Sequence, residues 1–224
     1  MSVAARCRLT WRRIVSAPEL PEEIEAALVR PLYTRVFSLL MGHVTGLCLC
    51  ALVMARVPAL WPAVFMAALL GLLGARAWVI LLVWPLRSSP PAALLRWRKP
   101  YEIVGLAWAL VSAAFCCLCV AASGDEVTRV LAIALVLGSA NGIASRNAGT
   151  PRFAMTQLCI WLLPLIVVAT VLGSWYPLLS LMVTMYLPSL CSIVRQHYAD
   201  MLSLIGAERH EAALASRFNA PSAT

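Results

Sequence analysis

The sequence predicts an all-α polytopic membrane bundle of about six transmembrane helices, with both termini in the cytoplasm. Three observations predict it: a composition too apolar for a soluble domain, six long apolar runs, and basic residues gathered on one side of those runs. Of the 224 residues, 62% are hydrophobic and only 12% are charged, and mean hydropathy is +0.84. Soluble domains carry about 25% charged residues, so lipid must cover much of this surface. The net charge of +8 does not point to nucleic acid, because the basic residues sit in short loops between apolar runs. That placement sets topology and favours anionic headgroups.

Residues 1–35 read as a cytoplasmic basic arm. Arg6, Arg8, Arg12 and Arg13 come first, then Pro21, Glu22, Glu23 and Glu25 mark a helix start, with acids where the helix dipole favours them. Ile24, Ala27 and Leu28 give this short helix an apolar side, which suits a place on the membrane surface. The arm lacks the apolar stretch of a cleavable signal peptide.

A membrane-spanning domain follows over 36–194. A span needs roughly 17–25 mostly apolar residues. The runs are Val36 to Ala55, Leu60 to Trp84, Ile103 to Ala122, Val130 to Ser145, Phe153 to Leu172 and Trp175 to Val194. The fourth is short. Of the 18 basic residues, only Arg56 and Arg129 fall in the loops of one side, and Arg76 falls within a span. The other loops, the arm and the tail hold the rest, which places both termini inside. Residues 195–224 read as a cytoplasmic linker helix with a disordered end. Met201, Leu204 and Ile205 continue the stripe of the last span, and Ala212 to Ala215 keep helix propensity high.

Candidate chemistry is sparse. His43 is the only histidine within a span, and an ionisable group there is expensive and functional by default. It has no second histidine in another span, which makes a poor haem or metal site. Arg76 is the other intramembrane charge, near the inner half of its span, and Glu102 is its nearest acid along the chain's inner surface. A positioning role by snorkelling suits it. Cys48 and Cys50 diverge on a helix while Cys116 and Cys119 share a face, but apolar surroundings keep such thiols protonated and inert. Gly42 with Gly46, and Gly138 with Gly142, leave room for close helix approach, and Asn141 can hydrogen-bond across. No nucleotide-binding, hydrolase-elbow or zinc-protease motif is present. No catalytic residue, cofactor or metal is therefore expected.

The segment Asn141-Gly142-Ile143-Ala144-Ser145-Arg146-Asn147-Ala148-Gly149-Thr150-Pro151-Arg152 resembles a loop in the membrane regions of alphaproteobacterial sensor diguanylate cyclases. The arm from Leu20 to Arg35 and the tail Ala212 to Asn219 resemble the flanks of the same regions. There the family continues into a PAS domain and a cyclase domain. This chain departs from the family at Ala220 and lacks the Gly-Gly-Asp-Glu-Phe signature. The resemblance thus implies a non-enzymatic sensory and anchoring module of cyclic-di-GMP signalling in the bacterial inner membrane, detached from its output. Its expected partners are the bilayer, a second copy and a cytoplasmic signalling domain in trans. Arg146, Asn147, Gly149, Pro151 and Arg152 then form either a rigid turn, with the arginines toward headgroups, or a contact site for the tail or a downstream domain. The alternative is a small transporter or permease-like protein, in which Pro164 and Pro188 break their helices and free carbonyls for a ligand.

Overall fold

The computed structural model describes residues 21–34, 36–85 and 90–219, and these are almost wholly helical. Eight helices follow in order: α1 (Glu22–Thr34), α2 (Val36–Arg56), α3 (Trp61–Val83), α4 (Pro91–Leu95), α5 (Arg98–Ala122), α6 (Glu126–Arg146), α7 (Pro151–Leu172) and α8 (Tyr176–Asn219). Arg6, Arg8, Arg12, Arg13, Arg35, Arg87 and the end expected to be disordered lie outside the described residues.

Six of the helices are long and apolar enough to cross a membrane: α2, α3, α5 with α4 before it, α6, α7 and α8. Short connections make successive helices run in opposite directions. One end of the bundle therefore gathers α1, α4, the 147–150 loop and the tail of α8. It is called the basic end, since Arg96, Arg98, Lys99, Arg152 and Arg195 lie there. The central helix is α5, half of whose apolar window is buried, while only 22% of that of α8 is. The uncovered positions are themselves apolar, among them Phe37, Val64, Leu81, Val167, Val171 and Met185. In water such a surface would be costly; against lipid it costs nothing. Trp84 lies at the basic end, and Trp175, half-exposed, at the far end, the depth where amphipathic rings settle.

The fourth span is longer than its apolar run predicts. Charged Glu126 and Arg129 obscure its first turn in the sequence, but Asp125 caps it. The Asp125 carboxylate accepts from the Val127 and Thr128 amides, each at 3.3 Å, and from the Thr128 hydroxyl at 2.7 Å, satisfying amides that a helix start leaves open. It also takes a 2.6 Å ion pair from Arg56. That pair fastens the last turn of α2 to the first of α6 at the far end.

The apolar side of helix α1 is covered by protein. Ala26, Leu28, Val29, Leu32 and Tyr33 are buried, and most of them pack with Val79, Ile80, Val83, Leu94, Tyr101 and Phe153 at the basic end. An amphipathic stripe is indifferent to whether lipid or protein covers it; here protein does. At this aqueous end each buried aliphatic side chain contributes about 1.5–3 kcal/mol. Gly149 permits the docking: a Cβ there would stand 2.2 Å from the Leu28 carbonyl oxygen. The Arg98 guanidinium joins Glu25 of α1 to Glu102 of α5.

Helix α8 runs for 44 residues without interruption, about 66 Å at 1.5 Å per residue. Span and tail are one rod. Arg209 on the tail pairs with Glu23 of α1 at 2.8 Å. Pro188 in α8 and Pro164 in α7 stand inside continuous helices.

Candidate functional site

A cavity of about 600 Å³ opens between α2 and α6, floored by α3, α5 and α7. Its size suits a small-molecule ligand, for which roughly 300–1,000 Å³ is usual. The arrangement follows from the helix directions. His43 stands seven residues below the start of α2, Arg76 seven residues before the end of α3, and Gln157 six residues into α7. All three therefore sit at one level, about 10 Å inside the basic end. Leu49 and Leu52 on α2, and Leu131 and Leu135 on α6, line the other half. The cleft is polar toward the basic end and apolar toward the far end.

The mouth is lined by small residues. Gly42, Gly138 and Gly142 border the cavity, and a Cβ at any of them would meet nothing within 4 Å. These glycines thus leave space between α2 and α6 instead of bringing two helices together. Close approach occurs elsewhere, at Gly105, where a Cβ would stand 2.7 Å from the Phe153 ring. Asn141 is exposed on α6, facing away from the neighbour it was expected to bridge.

The polar groups are unusually underused. Arg76 is only 1% exposed, and its Nε and Nη2 have no hydrogen-bond partner. Its guanidinium stands 4.7 Å over the Tyr101 ring, an attraction that leaves its donors free. Glu102, the acid expected to pair with it, binds Arg98 instead at 2.7 Å. His43 is 2% exposed. Its Nδ1 donates to the Leu39 carbonyl at 2.8 Å, since a carbonyl can only accept. Its Nε2 has no partner. The imidazole stacks on Trp108 with ring centres 3.7 Å apart. The Trp161 indole N–H, also against the cavity, is buried without an acceptor. Buried polar groups are usually paired, and among those left open here Arg76, His43 and Trp161 share one cavity.

The 147–150 turn reaches this cavity. The Arg146 Nε donates to the Asn147 side-chain oxygen at 3.2 Å. The Asn147 amide donates to Gln157 at 2.5 Å, and Gln157 donates to the Gly105 carbonyl at 2.9 Å. Arg146 itself lines the cleft instead of simply facing outward to headgroups. Pro151 is the first residue of α7, and the turn before it is buried at Asn147, Ala148 and Thr150. Arg152 is exposed in the first turn of α7. The neighbour seated on the turn is α1.

Of the residues singled out from sequence, the structure brings His43, Arg76 and Arg146 to one cavity and joins Asn147 to it through Gln157. Gly149 forms the α1 seat, while Pro151 and Arg152 open α7 next to it. Gln157, Trp108 and Trp161 were not anticipated. Gln157 carries a signal, being an amide inside an apolar run; the tryptophans carry none, since packing alone selects them. Among the described residues no three His, Cys, Asp or Glu side chains gather as a metal site. Cys48 is exposed and Cys50 buried, the divergence expected of helix neighbours two apart. Comparison with family models, with curated proteins and with solved structures gives no match.

Proposed function

We propose that this chain is a sensory and anchoring module of the bacterial inner membrane, resembling the input region of sensor diguanylate cyclases. Both ends lie in the cytoplasm. The observation that supports this most is the unbroken α8. It packs within the bundle at Leu190 and Val194 and extends to Asn219, so a movement of its buried half is carried to its tail. The tail touches α1 through Arg209 and Glu23. Helix α1 sits on the turn that reaches the cleft through Asn147 and Gln157. Input at the cleft and output at the tail thus share one chain of contacts. A signalling domain, in trans or joined to the tail, is the proposed partner.

Coupling of this kind needs two packing states that a stimulus favours unequally. Filling the cleft is a way to bias them. Gly138→Leu puts a side chain into open space and exchanges glycine for a better helix former, so the fold tolerates it. The readout is a water-soluble bis-maleimide joining Glu22→Cys on α1 to Glu208→Cys on α8, each next to a member of the Glu23–Arg209 pair and leaving that pair intact, with Cys7 replaced by serine. The cross-linking yield is expected to change when Gly138→Leu is added. An unchanged yield removes the link between cleft and tail.

A further inference from the structure

We infer that the cleft between α2 and α6 binds an amphiphilic anion, a single-chain carboxylate whose head meets Arg76 and whose chain lies along the apolar half. This rests on the reading of the cleft as the module's input. The charge of the head follows from the lining. Arg76 and Arg146 contribute two guanidinium groups, and among the described residues no Asp or Glu lines the cavity. Arg76 is buried with two open donor nitrogens. An unpaired charge at membrane depth costs several kcal/mol unless something compensates it, and a guanidinium fork fits a carboxylate with two parallel hydrogen bonds. The Trp161 N–H adds a donor.

The apolar body follows from the shape. From Ser38 to Leu52 the wall formed by α2 spans fifteen residues, about 20 Å of helix. Beyond the level of Arg76 this wall turns aliphatic, with Leu49, Leu52, Leu131 and Leu135. Head and chain are therefore separated along the membrane normal, as they are in a lipid. The gap at Gly42, Gly138 and Gly142 leads sideways from the cavity to exposed Met41 and Leu131, so a ligand dissolved in the bilayer enters without crossing water.

The probe is laurate, added to the full chain in nanodiscs of zwitterionic phosphatidylcholine. Saturable binding is expected, and methyl laurate, with the same chain and no charge, is expected to bind at least about tenfold more weakly, the loss of one charge-assisted hydrogen bond. Arg76→Gln is expected to weaken laurate to the same degree, and Arg76→Lys less. Acetate, which lacks the chain, should not compete. Equal binding of laurate and its methyl ester, or the absence of saturable laurate binding, overturns the assignment on the wild-type protein, whether or not a substituted chain folds. Undiminished binding to a folded Arg76→Gln chain overturns it as well. Displacement of laurate by phosphatidylglycerol at matched concentration assigns the anionic head to a bilayer phospholipid and overturns the single-chain carboxylate. The binding assay does not read the tail, and the cross-link does not read the ligand, so either reading can fail while the other stands.

Discussion

At the scale of single residues, the informative ones break a rule. Arg76 is a buried cation without an acid, and His43 and Trp161 each leave a nitrogen unpaired. A sequence shows such a residue when it is charged within an apolar run, which is how His43 and Arg76 were legible. It does not show which helices meet around it. Trp108 and Trp161 look like ordinary core until α5 and α7 bring them to the same cavity. Glu102 was the nearest acid to Arg76 by sequence, but Arg98, four residues before it on the same helix, takes it. Gly149 is the opposite case, a residue required by what it lacks. Gly149→Ala forces a methyl group against the Leu28 carbonyl. Overpacking of this kind costs about 1–3 kcal/mol, so the substituted protein should melt earlier in detergent, with protease reaching α1 sooner. A melting temperature equal to that of the parent would show that α1 is not seated there.

At the scale of elements, the apolar runs located all six spanning helices, because a long run in lipid has few alternatives to helix. Their edges were less legible. The start of α6 hid behind Glu126 and Arg129, charges that a hydropathy reading rejects and a capped first turn accepts. The docking of α1 was not legible, since its stripe has the same pattern whichever partner covers it. The joining of the last span to the tail was legible in part, through the stripe over Met201, Leu204 and Ile205. Asp125 ties two elements and gives them a pH dependence. Thr128 and Arg56 hold its carboxyl down to about pKa 2, from an ordinary 3.8. A lowered folded-state pKa means that its contribution is complete above the ordinary value and is lost as pH falls toward the lowered one. The link between α2 and α6 should therefore weaken between about pH 4 and about pH 2. Asp125→Asn keeps a capping oxygen but removes the charge. Its melting temperature should vary less with pH across that window; an unaltered pH profile would assign the acid sensitivity to other carboxyl groups.

At the scale of the whole molecule, the account joins a polarity along the bundle to a direction of signalling. The basic end holds α1, the 147–150 turn and the root of the tail, and the same sidedness is the ground on which that end is proposed to be cytoplasmic. Orientation can be read in intact cells with a membrane-impermeant maleimide. Ala59→Cys, between α2 and α3, should be labelled from outside, and Lys99→Cys only after lysis; the reverse pattern would invert the molecule. The central claim is narrower, that occupation of the α2–α6 cleft moves the tail. The Glu22→Cys to Glu208→Cys cross-link, which leaves the Glu23–Arg209 pair intact, tests it most directly when laurate is titrated into the nanodisc. The account predicts a yield that changes in step with laurate binding and is already shifted in the Gly138→Leu chain. A yield indifferent to both would contradict it.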